Sequence, residues 1–75
     1  MKKFKIDVIG MMSESDVNKI NGRLSDIHGV KMADTVLKEN AVYIIIENNI
    51  DIESVKNIIR NVGYNPGLHI SWVIS

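Results

Sequence analysis

The spacing of apolar residues switches repeatedly between two periods along this chain of 75 residues, and this switching constrains the fold more than any other feature. Phe4, Ile6 and Val8 alternate with charged residues, which predicts a half-buried strand that ends just before Gly10. Apolar residues then recur at spacings of three and four, as on one face of a helix: Val17, Ile20, Leu24 and Ile27. Gly29 stands where the C-cap of this helix is expected.

The same alternation repeats in the second half of the chain. The segment VKMADTVLK predicts a second strand, KENA a short turn, and AVYIIIE a third strand rich in β-branched residues. Asp51 is the expected N-cap of a second helix, which ends at Gly63. The apolar face of that helix is formed by Ile52, Val55, Ile58, Ile59 and Val62. A fourth strand, entered through a turn at Pro66 and Gly67, carries alternating apolar residues: Leu68, Ile70, Trp72 and Ile74.

The predicted order is therefore βαββαβ. Its common arrangement is the ferredoxin-like sandwich, an α+β fold with a four-stranded antiparallel sheet and two helices on one face. Right-handed crossovers place strands one and three at the centre of the sheet. The chain direction then brings the loop at residues 10–15, the turn at residues 38–41 and Tyr64 to one end of the domain. We expect a single domain over residues 1–75, with strand four and a tail at residues 64–75.

Composition and charge argue against several classes of protein. Nine basic and nine acidic side chains give a net charge of zero, and no basic run exceeds Lys2 and Lys3, so nucleic acid is not an expected partner. The longest apolar runs are far shorter than the ~20 residues of a membrane span, so no membrane insertion is expected. The chain has no cysteine, which excludes disulfides and thiolate sites and suits a reducing compartment. We therefore expect a soluble, cytoplasmic protein.

The loop sequence GMMSESDV and the dipeptides GV at Gly29 and GY at Gly63 carry a resemblance to a known family. Over residues 3–66 the chain resembles the heavy-metal-associated domain of copper chaperones and heavy-metal-exporting ATPases. In that family the loop reads Gly-Met-x-Cys-x-x-Cys, and its two thiolates hold Cu(I) or a similar soft ion. Here Gly10 matches, as does the methionine after it, but Ser13 stands in place of the first cysteine and Asp16 in place of the second.

These two replacements predict that thiolate coordination is lost. Soft thiolates select Cu(I), whereas Ser13 offers a hydroxyl that stays protonated near neutral pH and Asp16 offers one hard carboxylate. A harder ion such as Zn(II) requires three or four N or O ligands, and near Asp16 the sequence adds only Glu14 and Asn65. We expect no metal and no other cofactor at the degenerate loop positions Met12, Ser13 and Asp16.

Ser13 and Asp16 have a structural interpretation that fits better. A Ser-x-x-Asp sequence before an apolar helical stripe approximates a capping box, in which each residue satisfies a backbone N–H near the other. Met11 is expected in the core, and Met12 is open to an exposed or contact role. Tyr64 is expected beside the loop, either as a partly buried cap with a hydrogen-bonded hydroxyl or as part of a contact surface.

The face of the sheet away from the helices is expected to carry an apolar strip. If the β-branched residues of even number on strand three point at the helices, Tyr43 and Ile45 point away, and Ile9 lies beside them. Lys3, Lys5 and Asp7 also point outward, so the face is mixed but contains this apolar strip. Trp72 or Val73 is expected at the rim of this strip. Contiguous exposed apolar surface marks contact sites, so the strip favours a partner protein or self-association.

The resemblance implies a small non-enzymatic module that keeps the scaffold of metal chaperones. Such a module meets another protein, a metal-exporting ATPase or a sister domain, or a second copy of itself. Two alternatives stay open: residual metal binding or transport through Met12, Asp16 and His69 of two copies, and a small-ligand-binding regulatory module with its ligand at a dimer interface. The tail after Pro66 exceeds what the family needs, which suits an extended edge strand, pairing with another copy or a longer protein.

Overall fold

The structure, a computed structural model, describes residues 1–71, and its element order is the predicted βαββαβ. The strands are β1 (Lys2–Ile9), β2 (Val30–Val36), β3 (Ala41–Ile46) and β4 (Asn65–Ser71). The helices are α1 (Glu14–Ser25) and α2 (Ile52–Val62). The predictions for Trp72, Val73 and Ile74 lie outside the described residues.

The four strands form one antiparallel sheet in the order β2-β3-β1-β4, so β1 and β3 are central, as predicted. In the β1–β3 ladder Ile6 pairs with Val42 and Phe4 with Ile44, which turns these residues toward the helices. The result is the predicted ferredoxin-like α+β sandwich. Its edge strands are β2 and β4.

The core lies between the sheet and the two helices. Its largest fully buried side chains are aliphatic and come from β1, α1, β3 and α2: Ile6, Val8, Ile20, Leu24, Val42, Ile44, Ile46, Val55 and Ile59. These are the residues that the period-two and period-3.6 patterns place on inward faces, so the predicted apolar faces are confirmed. Asn21 adds a polar link from α1 to β2, because its Oδ1 accepts hydrogen bonds from the Thr35 backbone N–H (2.9 Å) and hydroxyl (2.5 Å).

The end of α1 differs from the prediction. The helix ends at Ser25 with Asp26 as its C-cap, and Ile27 packs against the core from beyond the helix. Gly29 is therefore not the C-cap. It lies in the turn before β2 with a φ of 99°, and a Cβ built there would come within 2.7 Å of Ile50, so both conformation and space require glycine.

Helix α2 has the predicted ends. Asp51 is its N-cap and accepts a hydrogen bond from the Glu53 backbone N–H at 3.1 Å. Gly63 is the C-cap, with a φ of 112°, and its N–H donates to the carbonyl oxygens of Arg60 and Ile59. This left-handed glycine turns the chain directly into β4, which brings Tyr64 back toward the β1–α1 loop.

The ends of β2 and β4 also correct the prediction. Strand β2 stops at Val36, because a 3-10 helix, Leu37–Glu39, takes over and closes at Asn40 with a left-handed φ of 50°. Strand β4 already starts at Asn65, and Pro66 lies inside it opposite Val8 instead of forming a turn. An edge strand tolerates proline because its outer side needs no N–H donor. The β1–β4 ladder shifts register between Ile6 and Val8, because β4 has one residue more than β1 over that stretch.

Candidate functional site

The loop between β1 and α1 is the candidate site, because it occupies the position of the family's metal loop. It begins at Gly10, whose φ of 110° lies in the left-handed region. Met11 turns inward and is 7% exposed, which confirms its predicted core position. Met12 points outward and is 87% exposed. The loop therefore presents one thioether to solvent and ends at Ser13, the N-cap of α1.

The carboxylate of Asp16 closes this loop. One oxygen, Oδ2, accepts hydrogen bonds from the backbone N–H groups of Met12 at 2.7 Å and Ser13 at 3.3 Å. The other oxygen, Oδ1, accepts a hydrogen bond from the hydroxyl of Tyr64. Ser13 and Asp16 form the predicted capping box, and Asp16 in addition ties the helix start to the segment that follows α2.

The same hydrogen bonds set the ionisation of the pair. The Tyr64 hydroxyl lowers the pKa of the Asp16 carboxyl most, the Met12 N–H lowers it further, and partial burial opposes them. Because its hydroxyl donates a hydrogen bond to Asp16, Tyr64 has a pKa raised above the ordinary value of a phenol, and partial burial adds to this. Around neutral pH the pair is therefore a carboxylate and a neutral phenol, the forms that this hydrogen bond requires.

Tyr64 supports the loop from below. Its side chain is 9% exposed and belongs to the core cluster, and a Cβ at Gly10 would lie 3.6 Å from its ring. The predicted cap with a hydrogen-bonded hydroxyl is thus confirmed. The contact role of Tyr64 stays a prediction, and the little surface that it exposes limits what a partner can touch.

The chemistry of these side chains does not fit a soft metal ion. Both carboxylate oxygens of Asp16 already accept hydrogen bonds, Ser13 offers a neutral hydroxyl, and Met12 offers one thioether, whereas Cu(I) is selected by sets of soft sulfur ligands. Within residues 1–71 no three His, Asp or Glu side chains are grouped as they would be around an ion. The loop is therefore held by a carboxylate and its donors where the family uses thiolates and a metal.

His69 lies away from this loop. It pairs with Ile6, three residues before Ile9, which is about 10 Å along the strand at ~3.3 Å per residue. Its ring packs edge-on against Phe4 with 5.6 Å between ring centroids. One copy of the chain therefore does not bring His69 together with Met12 and Asp16.

The apolar strip predicted on the open face of the sheet is wrong in its geometry. Lys3 and Lys5 of β1 pair with Ile45 and Tyr43 of β3, and Ile9 lies beyond the end of β3. The two lysines beside Ile45 and Tyr43 agree with the mixed face that the sequence predicts. The register differs from the prediction in separating Ile9 from the two apolar side chains of β3.

Tyr43 is part of a polar cluster on this face. Its hydroxyl donates to Glu39 Oε1 at 2.6 Å, and Lys5 Nζ lies 3.5 Å from the same oxygen and 5.7 Å from the centre of the Tyr43 ring. The hydrogen bond to Glu39 raises the pKa of Tyr43. Contact roles for Ile9, Tyr43 and Ile45 stay predictions, and the last two belong to the mixed face that the sequence predicts.

Two large exposed apolar side chains lie on β4, toward the edge of the sheet. Leu68 is 81% exposed and Ile70 59% exposed, and Ile9, at 63%, lies on the neighbouring strand. Sequence reasoning missed the exposure of Leu68 and Ile70. The exposure of Ile70 follows from its pairing with Lys5, an outward residue of β1. That pairing could be predicted only by placing Pro66 inside the strand.

Comparison with solved structures shows which proteins share this fold. The chain has the fold of copper-binding domains and metallochaperones, which it matches at low sequence identity and without any cysteine. The resemblance inferred from the sequence is thereby confirmed as a structural match. No protein-family model matches the chain, and a search of curated proteins gives no match.

Three of these structures illustrate the match. A copper-binding domain from HMA7, a P-type ATPase, has a TM-score of 0.84 at 23% identity, covering 97% of this chain and 96% of that one. The yeast copper transporter domain Ccc2a has a TM-score of 0.83 at 27% identity, covering 88% and 92%. The metallochaperone CopZ has a TM-score of 0.83 at 23% identity, covering 87% and 98%. No helix within residues 1–71 is long and apolar enough to cross a membrane.

Proposed function

We propose that this chain is a non-enzymatic protein-contact domain that keeps the scaffold of metal chaperones but has lost thiolate coordination. One observation carries the proposal. Asp16 stands at the position of the second cysteine, and both of its carboxylate oxygens accept hydrogen bonds that close the loop. The loop then needs no metal to hold its shape. We propose further that residues 1–75 are one domain and that the protein acts in the cytoplasm.

The loop end supplies the contact surface of this proposal. Met12 is 87% exposed at a loop whose backbone is fixed by Asp16, so an apolar, polarisable side chain stands at a defined position. A backbone that is already fixed spares a partner the entropic cost of ordering the loop. The partner would be a soluble domain of a metal-exporting ATPase, a sister domain, or a second copy of the chain.

Anaerobic titration with Cu(I) against a competing chelator tests the loss of coordination. The matched control is the double variant Ser13→Cys/Asp16→Cys, which restores the Gly-Met-x-Cys-x-x-Cys loop on the same scaffold. We expect the natural chain to release Cu(I) to the chelator and the double variant to retain it. Retention of Cu(I) by the monomeric natural chain at submicromolar free copper would contradict the proposal.

The same titration separates the alternative of metal binding by two copies. In that case NMR signals of Met12, Asp16 and His69 would shift with copper or zinc, and the chain would dimerise as they shift. We expect neither change. Shifts confined to those three residues would replace the present proposal with residual metal handling.

A further inference from the structure

The helix layer carries a groove that the contact loop does not use. It is shallow and open to solvent, with a volume of about 470 Å³. Its lining residues are exposed except for one half-buried valine. We call it the helix-layer groove. It is lined by Asn18, Lys19, Gly22 and Arg23 from α1 and by Asn61 and Val62 from α2.

The lining of this groove is positive. Lys19 and Arg23 are four residues apart, so they project from the same side of α1. Among the ion pairs of residues 1–71, none uses either side chain. No carboxylate lines the groove, although the whole chain has as many acidic as basic residues. The carboxamides of Asn18 and Asn61 add uncharged N–H donors.

Gly22 is the second and independent feature. Glycine is among the least favourable residues inside a helix, and Gly22 lies in the middle of α1. It has no left-handed backbone, and a Cβ added there would meet no atom within 4 Å. Neither conformation nor packing therefore requires a glycine. A side chain at this position would stand in the groove, so the glycine keeps the groove open.

We propose that the helix-layer groove binds a small organic dianion, a dicarboxylate or a phosphate monoester. Lys19 and Arg23 supply the charge, although Lys19 also acts on the Asp16 carboxylate one turn before it. The guanidinium of Arg23 can donate two parallel hydrogen bonds to either kind of acid group. The two carboxamides fix the orientation through neutral hydrogen bonds. Neutral and cationic molecules of the same size lack this match.

NMR titration of the whole chain at constant ionic strength tests the proposal, with succinate and glycerol 2-phosphate as probes and neutral succinamide as control. We expect saturable shifts at the backbone amides of Asn18, Lys19, Gly22, Arg23 and Asn61 with one of the two dianions. The tighter probe tells which acid group the groove prefers. Saturation by succinamide as well, or no saturable shift with either dianion, would overturn the proposal.

Gly22→Ala separates binding from folding. The alanine should raise the melting temperature by about 3 to 8 °C, because it is the better helix former, and should weaken binding at least fivefold, because its methyl group enters the groove. Lys19→Gln and Arg23→Gln should each weaken binding about tenfold, whereas Lys38→Gln, outside the groove, should not. Unchanged affinity in a stabilised Gly22→Ala variant contradicts the proposal, as does equal weakening by Lys38→Gln. Copper release by the loop is a separate readout and does not move with these results.

Discussion

At the scale of single residues, the carboxylate of Asp16 holds the loop closed, as a bound ion does in a metal loop. It gathers two backbone N–H groups and one phenol around a negative charge, so residues distant in sequence meet at one point. Hydrogen bonds to an ionised acceptor are stronger than those between neutral groups. The carboxylate also faces the positive end of α1, which adds to its stabilising effect.

Asp16→Asn and Tyr64→Phe should each lower the melting temperature, because each removes the charged or hydroxyl partner of the same hydrogen bond. The double variant Asp16→Asn/Tyr64→Phe should lose less than the sum of the two single losses, since the shared interaction can be lost only once. Urea unfolding of the four proteins gives this coupling. Strictly additive losses would show that the two side chains act independently.

The pKa shifts of the pair predict how stability depends on pH. Asp16 has a lowered pKa in the folded chain, so its contribution is present above the unfolded carboxyl pKa of ~4 and is lost as pH falls through the lowered value. Tyr64 has a raised pKa, so its contribution is present below the unfolded phenol pKa of ~10 and is lost as pH rises through the raised value.

Unfolding by urea at a series of pH values measures both limbs. Asp16→Asn should flatten the acid limb, which is the loss of stability as pH falls. The part of this loss that Glu39 causes should remain, because the hydrogen bond from Tyr43 lowers the pKa of Glu39 as well. Tyr64→Phe should flatten the alkaline limb while leaving the shares of Tyr43 and Lys5, whose pKa values are also raised. An acid limb that is the same in Asp16→Asn and in the natural chain would contradict the assignment.

At the scale of elements, the spacing of residues along the chain predicted the features that depend on residues close together in sequence. The six elements, the central strand pair and the caps at Ser13, Asp51 and Gly63 follow from periodicity and backbone conformation. Pairing register was harder to predict, because the position of Ile9 depends on where β3 begins. The Asp16–Tyr64 hydrogen bond joins positions 48 residues apart, so no local pattern contains it.

The two faces of β3 give a test at the same scale. Ile44 is fully buried and Ile45, next to it, lies on the open face beside Lys3. Ile44→Ala should lower the free energy of unfolding by about 2–5 kcal/mol, because it leaves a cavity in the core. Ile45→Ala should cost clearly less in a urea titration. Equal costs would mean that the assignment of inward and outward faces is wrong.

At the scale of the whole molecule, the chain combines the fold of copper-binding domains with a loop that closes on itself. Beside the helix-layer groove, the exposed surface includes a methionine at one end, a mixed open face and two large apolar side chains on β4. Fixed shape with few exposed apolar anchors is what the contact role proposed above requires.

Met12 provides the test of that contact surface. Met12→Ser should weaken binding severalfold to the soluble N-terminal domain of a copper-transporting P-type ATPase from the same organism, while the free energy of unfolding changes by less than ~0.5 kcal/mol. The matched control is Met32→Ser on β2, where the methionine is 38% exposed. Titration calorimetry measures both. Equal weakening by the two variants would place the contact elsewhere.

The rigidity of the loop without metal tests the central claim most directly. Relaxation of the backbone ¹⁵N nuclei of Met12 and Ser13 should be measured in chelator-treated protein and again after one equivalent of Cu(I). We predict order parameters near ~0.85, typical of rigid backbone, that stay unchanged when copper is added. Order parameters below ~0.6 that rise on adding Cu(I) would mean that a metal, and not Asp16, closes the loop.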